Sequence, residues 1–189
     1  RVLVETAGEA MAAHLLAVGD HEEAGRVALA AALPGMMRAT VRDALRAQPP
    51  RVAPPVLRQW SDAQLLEPGD PHAQWLEAAC SANGAVDRRG VIERYESVRQ
   101  AFEVAGDVEA EVSVGLAMAT QARRADDLAT LFRLVARAEE LVAAGHDEAL
   151  APAVLGRTLG HQFAGDPESA LATLDEFPTD RLEGDWSAQ

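Results

Sequence analysis

Adjacent carboxylates, scattered histidines and one cysteine are the residues of this sequence that could do chemistry. Asp126 and Asp127 open a run that favours helix, where carboxylates can complement the positive end of the helix or serve as a paired acid and base. The helix-capping role is the expected one, and a Mg²⁺-dependent all-α enzyme is the alternative. Cys80 follows His72 by eight residues, too wide a spacing for two ligands on one helix to make a metal site.

Motifs of the common enzyme classes are missing from the sequence. It contains no glycine-rich phosphate loop, no Ser-x-x-Lys pair and no Gly-x-Ser-x-Gly motif. The histidines show no His-Glu-x-x-His spacing, and surface or helix-capping roles are expected for all five: His14, His21, His72, His146 and His161. Cys80 is the only cysteine, so no internal disulfide can form, and its alanine-rich surroundings predict a buried, inert thiol. We therefore expect a binding protein that is not an enzyme and needs neither metal nor cofactor.

The charge balance limits the partners that this chain can hold. Its 189 residues include 17 Lys and Arg against 30 Asp and Glu, a formal net charge of −13. Phosphate-rich partners need a basic footprint, so direct binding to nucleic acid or to an anionic membrane is not expected. No apolar run approaches the roughly 20 residues of a membrane span and no signal peptide is visible, which predicts a cytoplasmic protein. Because the first residue is Arg1, we expect a piece of a longer polypeptide.

The composition favours helix over sheet. Alanine and leucine are abundant and β-branched residues are sparse, with Ile92 the only isoleucine. Aromatic residues make up 4% of the chain, so the core must be built from Ala, Leu and Val, whose small side chains let helices approach closely. The sequence therefore predicts an all-α protein.

Glycine followed by aspartate recurs after the apolar helical runs. Glycine past a helix end can take the left-handed conformation that caps the last carbonyls, and aspartate can accept the free N–H groups of the next helix. Each such dipeptide predicts a tight corner between antiparallel helices. The corners are Gly19-Asp20, Gly69-Asp70, Gly106-Asp107, Gly145-His146-Asp147 and Gly165-Asp166.

These corners fall into two interleaved series with a common period of about 40 residues. Gly69, Gly106 and Gly145 lie 37 and 39 residues apart, and the turns between them, at Gly84, Arg123-Arg124 and Gly165, lie 40 and 41 apart. Two helices per period describe a TPR-like α-solenoid of antiparallel helical hairpins. The expected helices are 71–82, 87–105, 108–122, 126–144, 148–163 and 167–177.

The N-terminal third is less regular. Helices are expected at 2–18, 21–33, 36–47 and 56–67. Pro34-Gly35 is expected to stop the second of them. Four prolines in the stretch 48–55 predict non-helical chain, since proline lacks the N–H donor and restricts the residue before it. The expected domains are an N-terminal helical subdomain (1–48), a Pro-rich linker (49–55), TPR-like repeats (56–178) and an acidic tail (179–189).

Aromatic and arginine side chains are the candidates for ligand or partner binding. Stacked hairpins have a concave wall, where Trp60, Trp75 and Tyr95 could grip a peptide or small ligand. Packing into gaps of the alanine-rich core is the alternative for these rings, and the more expected one. Arg58, Arg94 and Arg133 are possible polar lining of the same wall.

Several short motifs resemble known helical-repeat proteins. LLAVGD at 15–20, followed by Glu22, Glu23 and Ala24, and FAGDPESAL at 163–171 resemble tetratricopeptide turns. The order of a Gly-Asp hairpin, TVRDAL at 40–45, Pro49-Pro50 and a Trp-bearing helix is similar to the MalT-like part of large ATP-binding LuxR-type transcriptional regulators. The period is nearer 40 residues than the 34 of a standard tetratricopeptide.

The resemblance implies a regulatory repeat domain between an ATPase switch module and a C-terminal helix-turn-helix, neither of which lies in this segment. Such a domain binds a small-molecule effector or a partner protein or peptide and leaves DNA reading to the other modules. It could also form a homo-oligomer. A general TPR-like protein-interaction scaffold is the alternative interpretation.

Overall fold

The computed structural model describes residues 2–47 and 49–175, with side chains from residue 5 onward. Within these ranges the chain forms α-helices, one 3₁₀ turn and connecting turns, without a β-strand, which confirms the all-α prediction. None of these helices is long and apolar enough to cross a bilayer. The helices are α1 (Val2–Ala17), α2 (His21–Ala30), α3 (Pro34–Leu45), α4 (Pro54–Asp62), α5 (Pro71–Ala82), α6 (Arg88–Ala105), α7 (Val108–Arg124), α8 (Leu128–Ala143), α9 (Leu150–Phe163) and α10 (Pro167–Asp175), with the 3₁₀ turn at Asp147–Ala149.

The corner between α6 and α7 shows how a Gly-Asp pair ends one helix and starts the next. Gly106 adopts φ 71°, a left-handed conformation that glycine takes without steric cost, and its N–H caps the last turn of α6. The Asp107 carboxylate then accepts a hydrogen bond from the Ala110 N–H at 3.2 Å, which starts α7. The predicted corner at this position is confirmed.

The expected turn at Arg123-Arg124 is wrong by about two residues. Helix α7 continues through Arg124, because arginine is a good helix former and nothing at this point breaks the helix. Asp126 makes the corner instead, with φ 54°, since aspartate tolerates the left-handed conformation better than most residues. Asp127 caps α8 by accepting from the Thr130 N–H at 3.1 Å.

Proline begins helices in this chain where the sequence suggested that it interrupts them. Pro34 is the first residue of α3, and Pro54 and Pro55 are the first two of α4, so the stop at Pro34-Gly35 and the non-helical prediction for 54–55 are wrong. The first turn of a helix makes no use of its N–H groups, and the fixed φ of proline suits it. The preceding stretch is packed rather than free, because Val52 is buried and the Arg51 N–H donates to Ala44 O at 2.9 Å.

The first of two compact units comprises Arg1–Gln121. Helices α4, α5 and α6 follow one another as neighbours in it, and α3 also contacts α5. Its largest fully buried side chains include Trp75, Phe102, Met37 and Leu45. Residues 1–48 and 49–55, the expected subdomain and linker, both fall inside this unit.

The second unit begins at Ala122 and contains α8, the 3₁₀ turn, α9 and α10. Helix α9 packs between α8 and α10. The approach of α9 to α8 requires Gly156, because a Cβ there would overlap with Val135 Cγ2. The expected acidic tail, 179–189, lies outside the described residues.

Candidate functional site

The three aromatic rings expected on a binding wall lie in the core of the first unit. Trp60, Trp75 and Tyr95 expose 3%, 1% and 4% of their surface. The Trp75 ring meets Phe102 edge to face, with centroids 5.7 Å apart. Burial raises the pKa of the Tyr95 hydroxyl, as expected for a phenol held away from water. These rings pack in the core, which was the alternative interpretation of them. Their contact with a ligand stays a prediction.

Two of the three candidate arginines line a common groove. Arg58 projects from α4 and Arg94 from α6, and the groove between them crosses α5. Arg133 belongs to α8 in the second unit, and it has interactions of its own. The sequence analysis therefore identified residues on both sides of the groove, but it did not show that they line the same cavity.

The groove has a volume of about 610 Å³, within the usual range for small-molecule sites. Its lining is mostly polar, and only Ala78 and Val98 are apolar contributors. The lining residues are Arg58, Ser61 and Asp62 from α4, Gln74, Glu77, Ala78, Cys80 and Ser81 from α5, and Arg94, Ser97 and Val98 from α6. A solute in this groove would touch three successive helices.

Four charged side chains of the groove have no ion-pair partner among the described residues. They are Arg58, Arg94, Asp62 and Glu77. Arg94 is oriented by a neutral neighbour, donating from Nη1 to Ser81 Oγ at 2.5 Å. The groove therefore presents charges of both signs that remain available to a solute.

Cys80 lies on the wall of the groove and is half-buried. Burial is the main reason that the pKa of its thiol is raised, and the carboxylates of Asp62 and Glu77 raise it further, against the opposing effect of the Arg58 guanidinium. The thiol is therefore protonated at neutral pH and contributes a small neutral surface.

The Asp127 carboxylate of the Asp126-Asp127 pair is committed to capping a helix. Its oxygens accept from both the N–H and the hydroxyl of Thr130, at 3.1 and 2.7 Å, as the helix-capping interpretation expects. Asp126 is exposed at the corner. Within residues 2–47 and 49–175 no three metal-binding side chains converge.

Two histidines depart from the expected surface or capping role. His21 is 4% exposed, and its Nε2 lies 2.5 Å from Asp43 Oδ2 on α3. His72 is partly buried against the Phe102 ring, with Nδ1 at 3.2 Å from Asp70 Oδ1. Burial lowers the pKa of His72, and the neighbouring Asp70 only partly opposes this. The His21–Asp43 and His72–Phe102 contacts each join two separate helices. The residues next to each histidine in the sequence therefore could not predict them.

Comparisons of the chain with protein-family models, with curated proteins and with solved structures find no match.

Sequence reasoning missed the polar lining contributed by α5. Gln74, Glu77 and Ser81 recur at intervals of three and four residues, which puts them on one face of that helix. A polar stripe on a helix that is otherwise rich in alanine was the available signal, although such a stripe is equally typical of an ordinary solvated face.

Proposed function

We propose that this chain is a regulatory helical-repeat module that binds a small effector in the groove between α4, α5 and α6. The observation that carries the proposal is the set of uncompensated charges, contributed by three successive helices, around one cavity of small-molecule size. Other arginines of the same unit make pairs of their own: Arg99, for example, binds Glu96, Glu103 and Glu111.

An effector in this groove would act by favouring one packing of the three helices. Binding shifts a conformational equilibrium only as far as the ligand prefers one state over the other. A ligand that bridges Arg58 on α4 and Arg94 on α6 has such a preference, because its two contacts depend on how those helices pack across α5.

The regulatory context rests on the motifs of the sequence. The Gly-Asp corners and their period of about 40 residues support a TPR-like solenoid, and the order of motifs resembles the MalT-like region of LuxR-type regulators. In this proposal the module works in the cytoplasm and passes its ligand state to ATPase and DNA-binding modules of a longer protein.

A protein-interaction scaffold is the second candidate, and the apolar surface of the second unit favours it. Leu155, Leu159 and Phe163 are exposed at intervals of four residues along α9. Phe132 of α8 is half exposed, and its ring lies 3.4 Å from where a Cβ of Gly160 would be. Exposed apolar side chains at helical spacing are typical of surfaces that bind other proteins.

A thermal-shift screen of small metabolites and nucleotides tests the effector proposal. A ligand at 100 times its dissociation constant should stabilise the chain by about 2.7 kcal/mol. The double variant Arg58→Gln/Arg94→Gln should lose the shift, whereas Arg89→Gln, whose side chain on α6 is 92% exposed and is not part of the groove, should keep it. If no small molecule shifts the wild-type chain and a protein partner binds through α9, the scaffold function replaces this proposal.

A further inference from the structure

The groove holds two guanidinium groups and two carboxylates that form no ion pair with one another. Arg58 and Asp62 lie four residues apart on α4, close enough in sequence for an ion pair, and they make none. An arginine that precedes its acid by one turn has the less favourable orientation for such a pair. Glu77 on α5 likewise has no charged partner, although Arg94 of α6 lines the same cavity.

We infer that the effector is a small zwitterion, carrying a carboxylate that Arg58 and Arg94 bind and an ammonium group that Asp62 and Glu77 bind. This inference rests on the proposed function of the groove and adds the class of ligand. Guanidinium groups match the planar geometry of a carboxylate, and a carboxylate accepts readily from the three N–H donors of an ammonium group.

Neutral side chains in the groove suit the rest of such a ligand. Ser61, Ser97 and Gln74 can donate and accept hydrogen bonds, as the amide groups of a short peptide require. Ala78 and Val98 also line the groove, but they are almost fully buried. The volume of about 610 Å³ suits a ligand of several residues, so peptides of two to four residues fit the groove better than a single amino acid.

The same charges disfavour purely anionic ligands. A phosphate or nucleotide attracted by Arg58 and Arg94 would also lie near Asp62 and Glu77, whose repulsion opposes its binding. The formal net charge of −13 adds a long-range repulsion of anions. A ligand with both signs of charge meets a complementary group at each end.

Calorimetric titration of the full chain with four probes tests the inference: trialanine, N-acetyl-trialanine, trialanine amide and free alanine. Trialanine has both charges, the acetylated form lacks the ammonium group, and the amide lacks the carboxylate. We expect trialanine to bind at least tenfold more tightly than either blocked form. Comparison with free alanine separates peptides from single amino acids as the source of the zwitterion.

Variants of the groove residues test which side chains bind the carboxylate and which bind the ammonium group of the ligand. Arg58→Gln/Arg94→Gln should remove the preference for trialanine over its amide and keep the preference over the acetylated form. Asp62→Asn/Glu77→Gln should do the reverse. All four side chains line the open groove, and circular dichroism melts establish that each variant is folded. Arg89→Gln and Glu93→Gln, on the exposed pair of α6, are the controls that should leave both preferences unchanged.

The outcomes separate this inference from the function that it rests on. Equal binding of all four probes, or no binding of any, overturns the zwitterion. If a different metabolite then shifts the wild-type chain and the Arg58→Gln/Arg94→Gln variant loses that shift, the effector function stands with another ligand class. If no small molecule binds, both proposals fall.

Discussion

The guanidinium of Arg42 on α3 binds Asp107, the residue that caps the start of α7, across 65 residues of sequence. One turn earlier on the same helix, Arg38 binds Asp70, the cap of α5. Helix α3 thus holds two Gly-Asp corners that lie 37 residues apart. These two ion pairs lie within one compact unit and link α3 to the starts of α5 and α7.

Removing Arg42 should therefore loosen that unit. We expect Arg42→Ala to lower the free energy of unfolding by about 1 kcal/mol, since its pair with Asp107 is only partly exposed to water. Urea denaturation followed by circular dichroism measures the change. Arg26→Ala, which removes a solvent-exposed pair with Glu23 within α2, is the matched control and should cost less. Equal losses in the two variants would show that the Arg42–Asp107 pair stabilises the fold no more than the exposed Arg26–Glu23 pair does.

The contact between Trp60 and Gly25 should tolerate no added methyl group. A Cβ at Gly25 would overlap with atoms of the indole ring, so Gly25→Ala must push α4 away from α2. The expected cost is about 1–3 kcal/mol of unfolding free energy, which exceeds the gain in helix propensity from alanine.

Gly35→Ala is the control for this substitution. Gly35 is also helical, and nothing lies within 4 Å of the position that its Cβ would take, so alanine there should leave stability unchanged or raise it. Urea midpoints of the two variants give the comparison. A neutral Gly25→Ala variant would mean that α2 and α4 do not approach as closely as described.

Arg99 should be the most costly arginine of α6 to replace. It binds Glu111, a side chain of α7 that is 3% exposed, as well as Glu96 and Glu103. Arg99→Met deprives the buried carboxylate of this guanidinium, and we expect a loss of about 3 kcal/mol in unfolding free energy. The exposed Arg89→Met should change it by less than about 0.5 kcal/mol.

A double-mutant cycle tests the cause of that loss. If the cost arises from the pair, Glu111→Gln in the Arg99→Met background should recover part of the stability, because the buried charge is then removed. Additive losses in the double variant would contradict a direct coupling between the two side chains.

His72 should make the fold less stable in mildly acidic solution. Its pKa in the folded chain lies below the ordinary value of 6.5, chiefly through burial, so the unfolded chain takes up the proton first as the pH falls. The contribution of neutral His72 is intact above about pH 6.5 and declines below it until the folded-state pKa is passed. Asp70, whose pKa is also lowered, loses its contribution only below its ordinary 3.8.

Melting temperatures measured at pH 7 and pH 5 check this prediction. We expect the wild-type chain to melt at a lower temperature at pH 5, and His72→Gln to show a smaller difference between the two pH values. His14→Gln, an exposed residue of α1, should retain the wild-type difference. An unchanged difference in the His72→Gln variant would assign the pH dependence to other groups.

The parts of this fold that depend on nearby residues could be predicted from the sequence. The expected helix 71–82 coincides with α5, and the corner at Gly106-Asp107 lies where the dipeptide predicted it. Helix termini are set by conformational preference and capping within about four residues, so one stretch of sequence contains the needed information.

The candidate site could be predicted only in fragments. Arg58 and Arg94 were named as polar lining, but Trp60, Trp75 and Tyr95 lie in the core, and the polar face of α5 was not recognised. An aromatic side chain at helical spacing has the same local pattern whether it faces a neighbouring helix or water.

The amino-acid sequence alone thus determined the helical class and most helix ends, because propensity and capping act over a few residues. Only the tertiary structure decided that Pro54 starts a helix, that Trp60 packs on Gly25, and that Arg58 and Arg94 share one groove. Those outcomes depend on which helix faces meet, and the free energy of burial that selects those faces is shared among residues far apart in the chain.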